Sequence, residues 1–380
     1  MKFQRKEIFY WSLFFFYGLF ILATLPYIVP IQRALGRKLQ DYLLLFIIIT
    51  ITLVFLILLA HIFFIKRERR VSKYLGVIGG TGLIGLTVYF LILRTNYSAA
   101  SKAVEFIHFF EYGLLSYLAF IALRCRINNL LIYVWGVIVV SCFGYIDEGI
   151  QWVIESRTGE LKDALTNVAC AVTFQIFISQ VSEPVKGFKK IEFHDFKLLL
   201  KGLSVFLVII TLFTILVNTG FEVFDHEVGY FKSKFTRDNL LSMKEERSQI
   251  IMIPNPKATQ IVIKPDYWSI TDFYAQEAKY HIKFRNDLLK DKHYRSAYCE
   301  ELILEKYYEP VMLELNQKWP FEMRKEIFFK IPDRKNSYFY HSPLRENIIT
   351  GVGKFIILFS LIILSIVPII IDIMTDKKES

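Results

Sequence analysis

Eight stretches of the chain are apolar over lengths that reach across a bilayer, and no other feature restricts the fold so strongly. They are Ile8–Val29, Tyr42–Ile65, Leu75–Leu93, Ala103–Leu123, Asn129–Trp152, Asp163–Val181, Leu198–Val217 and Gly351–Met374. A helical residue rises about 1.5 Å, so runs of this length cover the roughly 30 Å of hydrocarbon. A backbone in lipid must satisfy its own hydrogen bonds, and continuous apolar runs do so as helices. With 54% hydrophobic residues among 380, the chain is also more apolar than an ordinary soluble domain. The expected fold class is an α-helical polytopic membrane protein of about eight transmembrane helices. A small extracytoplasmic α+β domain is expected between the last two spans.

Charge sets the expected orientation. The net charge is +10, but much of the excess falls in short loops, so it points to membrane topology and not to nucleic acid. Lys2, Arg5 and Lys6 precede the first span; Lys66, Arg67, Arg69, Arg70 and Lys73 follow the second; Arg124 and Arg126 follow the fourth. Lys186, Lys189 and Lys190 follow the sixth, and Lys377 and Lys378 end the chain. With eight spans all five groups share one side, which is then cytoplasmic, with both termini. Arg33, Arg37, Lys38, Arg94 and Lys102 run against this trend. Residues Ile31–Asp41, after Pro30, read as a short interfacial helix. The first run is longer than a signal-peptide core and no small-residue cleavage site follows it, so it is expected to stay as an anchor. The four cysteines show neither disulfide nor zinc spacing.

This divides the chain into helices 1–3 (residues 1–98), a three-helix core (99–182), a seventh helix (183–217), the extracytoplasmic domain (218–350), and a last helix with its tail (351–380). In the third span Gly76–Gly80 and Thr81–Gly85 have the spacing that lets helix backbones approach closely. Gly80-Thr81-Gly82-Leu83-Ile84-Gly85 also matches a dinucleotide-binding fingerprint, but that motif needs a strand before it and a βαβ unit around it. Helix packing is the reading adopted. In the hydrophilic domain, Gln249–Ile253 and Gln260–Lys264 read as strands joined by a Pro254-Asn255-Pro256 turn. Ser269 and Asp272 read as a capping box opening a helix to about Leu289. Tyr294–Asn316 reads as a helix broken at Pro310, and Lys325–Ile331 and Ser337–His341 as further strands. Its many tyrosines read as core and interface packing. No catalytic motif is visible there.

The fourth to sixth spans carry what membrane helices seldom keep. Glu105, His108 and Tyr112 lie on one helical stripe of the fourth, with Glu111 at its edge. Asp147, Glu148 and Gln151 end the fifth, Arg157 follows in the loop, and Asp163 and Asn167 open the sixth. An ionisable residue at mid-bilayer costs about 2.5–3.5 kcal/mol, so groups at one depth on three neighbouring helices read as a site near the outer interface. Taken singly, each has a structural use: Asp163 as a helix N-terminal charge, Asn167 as an interhelical hydrogen bonder, Arg157 as the ion-pair partner of Asp147 or Glu148.

The run Glu105-Phe106-Ile107-His108-Phe109-Phe110-Glu111-Tyr112-Gly113-Leu114-Leu115 resembles the first motif of the VanZ-like membrane proteins. Asp147-Glu148-x-x-Gln151, Arg157, Asp163 and Asn167 resemble the second, spacing included. The resemblance covers about Ala99 to Gln180. Many members have lysine three positions before the histidine, where this chain has Glu105; its Lys102 lies one turn further out. The resemblance implies a protein of the bacterial cytoplasmic membrane with an outward-facing polar site. It also implies a connection to the cell envelope and to glycopeptide-type antibiotic resistance, and it supplies no reaction.

Three functional readings follow. In the first, the cluster binds a membrane lipid or lipid-linked envelope precursor, and the outer domain meets an envelope protein or cell-wall partner. In the second, it is a hydrolase or transferase with His108, Glu105, Asp147 and Glu148 as catalytic groups. Glu111, Tyr112, Gln151, Arg157, Asp163 and Asn167 then bind the substrate. With no activated Ser or Cys, direct attack by water is expected. The third is a proton-coupled carrier, against which stands the lack of an inverted repeat with broken helices. Glu105-x-x-His108 has metal-site spacing, but no second Glu-x-x-His accompanies it, so no metal ligand is assigned. The sequence identifies no cofactor.

Overall fold

The computed structural model describes residues 5–39, 71–94, 99–153, 161–182, 190–252, 272–331, 340–345 and 348–379, with isolated positions between 42 and 56. In order, its elements begin with α1 (Arg5–Leu39), α2 (Val71–Val88) with a π-helical turn at Tyr89–Leu93, and α3 (Ala99–Leu123). There follow α4 (Leu131–Val153), α5 (Leu161–Val181) and α6 (Phe193–Phe213), the last with a π-helical turn at Thr214–Asn218. Next come β1 (Phe221–Asp225), β2 (Gly229–Ser233), α7 (Arg237–Met252), α8 (Phe273–Lys290) and α9 (Tyr294–Tyr307). The chain ends with α10 (Glu309–Glu314), α11 (Phe321–Phe329) and α12 (Gly351–Glu379). Seven helices among the described residues are long and apolar enough to cross a membrane. The chain is a helical, multi-pass membrane protein. It forms two compact units, Met1–Phe213 with Phe359–Ser380, and Thr214–Leu358.

The expected second span, 42–65, lies almost wholly outside the described residues. The expected break at Pro30 is absent: α1 runs unbroken through Pro26 and Pro30 to Leu39. Membrane helices tolerate proline because local adjustments satisfy the freed carbonyls. In the first unit α3, α4 and α5 pack against one another, and each carries one flanking helix: α1 on α3, α6 on α4, α2 on α5. Phe14, Ile21, Ile84, Val88, Phe106, Phe109, Leu115, Val140, Ala171 and Phe174 form the apolar core of this arrangement. Small residues set the crossings. A Cβ on Gly113 of α3 would lie 2.3 Å from the Phe174 ring of α5, and one on Gly136 of α4 would lie 2.4 Å from Gln175. Gly76 and Gly80 of α2 meet Gln180 and Phe177 of α5 in the same way, whereas Gly85 faces open space. The glycine-rich run therefore sits inside a helix, and Gly76 and Gly80 serve its packing on α5. Thr87 and Thr173 share a 3.1 Å hydrogen bond across the same pair of helices. Arg126 pairs with the buried Glu7, and Asn129 both caps Leu131 and donates to Asp195 at 2.8 Å.

The second unit departs further from the expected pattern. Gln249–Met252 is the end of helix α7, not a strand. Leu240 and Arg247 are buried and Met243 partly so, a stripe of helical spacing that decides the local structure over the apolar run Ile250–Ile253. Lys325–Phe329 belongs to helix α11, anchored by Ile327 against Ala297 and Trp319. Gln260–Lys264, Ser269 and most of Ser337–His341 lie outside the described residues; His341 itself forms a bridge with Tyr230. Asp272, not Ser269, caps α8, its carboxylate accepting from Ala275 N at 3.0 Å. The helical break comes at Tyr308, with Pro310 in the first turn of α10.

Among the described residues the sheet is the antiparallel hairpin β1–β2, with Phe221 opposite Ser233 and Asp225 opposite Gly229. Gly229 closes the turn with φ +91, a conformation that favours glycine. Tyr274, Tyr307 and Tyr308 are buried in the core, as the tyrosine content suggests. The core also holds charges in matched sets. Arg285 pairs with Glu301, both fully buried, and lies over the Trp319 ring. His281 bonds Glu300 at 2.6 Å, and Arg345 bonds Glu277 at 2.6 Å.

Asp225 locks the hairpin to the helices, accepting from Lys306 (2.8 Å), Tyr307 (2.8 Å), Arg237 (3.0 Å) and Glu227 N (2.9 Å). Burial raises its pKa, but the Lys306 ammonium, the Glu227 N–H and the Tyr307 hydroxyl together hold it well below the usual carboxylate range. A depressed folded value means stability that is present above the unfolded pKa of about 4 and is lost as pH falls towards the folded value. Thermal unfolding of the purified chain should therefore weaken steadily below about pH 4. Asp225→Asn should start less stable and lose less over the same window; equal slopes for the two chains would contradict this role.

Candidate functional site

The polar end of the α3–α4–α5 core is built by helical spacing. His108 and Glu111 sit one turn apart on α3, and Tyr112 one turn beyond His108. Asp147, Glu148 and Gln151 occupy the last turns of α4, and Asp163 and Asn167 the first turns of α5. Gly144, one turn before Asp147 and Glu148, lets the helices close here. A Cβ at that position would stand 2.8 Å from Asn167 Cβ and 3.3 Å from Tyr112 Cε1.

Asp147 is fully buried, and its Oδ2 accepts from the Tyr112 hydroxyl at 2.9 Å. The same oxygen lies 3.6 Å from His108 Nε2, beyond a good hydrogen bond. His108 Nδ1 is 3.2 Å from Glu111 Oε2. A carboxylate only accepts, so Nδ1 carries the proton of that bond. The imidazole thus stands between two carboxylates, edge-on to the Tyr112 ring at 4.9 Å. Glu148 is 1% exposed, and its Oε1 accepts from Gln151 Nε2 at 2.9 Å. Asn167 is 1% exposed, and its Nδ2 finds no acceptor among the described residues.

The structure brings His108, Glu111, Tyr112, Asp147, Glu148 and Gln151 together at one end of the core as three hydrogen-bonded pairs, His108–Glu111, Tyr112–Asp147 and Gln151–Glu148, with Asn167 and Tyr112 both against Gly144. Glu105 lies one turn before His108 and is half-buried. Lys102 does not join the cluster: its ammonium donates to Leu93 O at 2.9 Å. Asp163 is half-buried on the Asn167 side of α5. Arg157 lies outside the described residues. Sequence reasoning passed over Gly144; a small residue one turn before a buried acidic pair was the available signal. One rim of the cluster is reachable, since Glu111 keeps a fifth of its side-chain surface and His108 a seventh. The arrangement can accept hydrogen bonds from a ligand, move a proton through His108, or hold a cation. No protein-family model, no curated protein and no solved structure matches the chain.

Tyr112→Phe keeps the ring and deletes the donor to Asp147. A hydrogen bond to a charged group contributes about 1.5–3 kcal/mol, so unfolding in detergent should shift by that amount. Combined with Asp147→Asn, the loss should be smaller than the sum of the two single losses. Additive losses would mean that the bond contributes nothing to stability.

Proposed function

We propose that the chain is a VanZ-like protein of the bacterial cytoplasmic membrane. In this reading the polar end of α3–α5 binds the headgroup of a membrane lipid or lipid-linked envelope precursor at the outer interface. The observation that carries it is the row of polar groups from buried Asp147, bonded to Tyr112, through His108, whose ring stands edge-on to Tyr112, to the part-exposed Glu111 that His108 bonds. Carboxylates kept in lipid cost too much to be incidental, and a rim open on one side gives them a use. Carboxylate oxygens take hydrogen bonds from hydroxyl and amino groups, which suits a sugar-bearing headgroup. The link to glycopeptide resistance and envelope integrity belongs to the same proposal, as does an envelope or cell-wall partner for the second unit.

Organic extraction of the purified chain, followed by mass spectrometry, tests it. A lipid-linked species should accompany the wild-type chain and be depleted in Glu148→Gln, which changes charge with little change of shape. Extracts that match bulk membrane lipid in both chains would end the proposal.

His108 also favours a second reading, acid–base catalysis, because its two ring nitrogens face Glu111 and Asp147. His108→Gln retains hydrogen bonding and loses the titration near neutral pH. If His108 transfers protons, this variant should retain the lipid and lose all envelope phenotype. A phenotype kept in proportion to bound lipid would leave binding as the whole function.

The proposed orientation puts both termini in the cytoplasm and residues 218–350 outside. Cys299 is buried, which pushes its thiol up to about 11, so it should react only once unfolded. A membrane-impermeant thiol reagent should label Cys299, and not Cys125, in spheroplasts under mild denaturation. The reverse pattern would invert the topology.

A further inference from the structure

We propose that His108, Asp147 and Glu148 bind a divalent first-row transition-metal ion. The inference rests on the reading of this cluster as the working site and adds the ion through which it acts. One ligand atom from each residue lies within 4.8 Å of the others, and all three residues are buried or nearly so. Metal bonds of about 2.0–2.2 Å in a tetrahedral shell put ligand atoms roughly 3.3–3.6 Å apart, so any pair that stands wider must close on binding. His108 Nε2 and Asp147 Oδ2, at 3.6 Å, already have the separation of two ligands on one ion.

The partners of these three groups carry the argument further. A metal-bound histidine gives its other ring N–H to a carboxylate or carbonyl, which fixes the tautomer and turns the free lone pair towards the ion. Here Nδ1–H goes to Glu111, and Nε2 is left facing Asp147. The carboxylates are oriented in the same manner, Asp147 by the Tyr112 hydroxyl and Glu148 by the Gln151 amide. Each proposed ligand therefore has its own orienting hydrogen bond, from Glu111, Tyr112 or Gln151.

Asn167 is an independent sign. Its Nδ2 donor is buried without an acceptor among the described residues, and its Cβ, like the Tyr112 ring, lies against Gly144. An oxygen on an ion held by three protein ligands would supply that acceptor, as water or as a ligand oxygen in the open position. One imidazole nitrogen and two carboxylate oxygens suit zinc, manganese or iron better than magnesium or calcium, which prefer oxygen alone. The sequence pointed away from a metal because Glu105-x-x-His108 has no second copy. The carboxylates that complete the set come instead from the neighbouring helix, and Glu105 is not among them.

Zinc is the probe. The full chain, purified in detergent, is stripped with chelator, reloaded with zinc, dialysed, and measured by elemental analysis. About one zinc per chain is expected, and cobalt in its place should give the visible bands of a four- or five-coordinate ion. His108→Gln and Asp147→Asn should each abolish retention. Glu111→Gln alters only the part-exposed orienting partner, so it should fold normally and bind about 10–100-fold more weakly. No retained zinc or cobalt bands in the wild-type chain would overturn the site, as would undiminished retention in a folded Glu111→Gln and His108→Gln pair. Lipid extraction from the same preparations keeps the two proposals apart. Lipid without metal removes only the ion, and metal without lipid removes only the headgroup.

Discussion

Two adjacent carboxylates at the end of a membrane helix set the terms for the first unit. Asp147 and Glu148 are withdrawn from water, and neither survives there without donors. Each therefore has a dedicated one, Tyr112 from the neighbouring helix and Gln151 from the next turn. To bring Tyr112 and Asn167 near enough, the helices must close at Gly144; to hold that approach, they close again at Gly113 and Gly136. Packing and polar chemistry here are one constraint. The glycines that let the helices touch place the side chains, and the side chains make that contact worth keeping.

The second unit solves a related problem. A segment of modest size keeps Asp225, Glu277, His281, Arg285, Glu300 and Glu301 away from solvent. Breaking such a set costs more than never having built it, since the remaining charge is stranded. The hairpin is tied to the helices through Asp225, Ser233 and Lys234, so the sheet has its place through side-chain bonds as well as through apolar burial.

Much of the membrane half was legible because its signal is long and simple. Runs of about twenty apolar residues have one solution in lipid. That the polar groups gather at one end of three neighbouring helices was legible for the same reason, since helical period and helix ends both follow from counting. The exact partners were not. Glu105 and Glu111 are each three residues from His108, and nothing in the spacing says which of them accepts its hydrogen bond; the structure chooses Glu111. In the second unit, Gln249–Ile253 and Lys325–Ile331 look like strands by composition. The stripes of Leu240, Met243 and Arg247, and of Ile327 against Trp319, make Gln249–Met252 and Lys325–Phe329 helix instead. The true hairpin, Phe221–Ser233, carries only a modest alternation and was not read. Tertiary burial, which a short window does not show, decided these cases.

The three glycine crossings also limit how the first unit can move. A helix with ordinary side chains at its contacts can roll or slide by swapping rotamers. At Gly113, Gly136 and Gly144 a backbone lies against a ring or an amide, and there is no rotamer to swap. The α3–α5 core then behaves as a single casting, and large displacement is left to the flanking helices. A transport cycle that opened the polar end alternately to each side of the membrane would have to shear the casting itself. A fixed seat, entered laterally from the lipid past α1, α2 or α6, asks for no such motion.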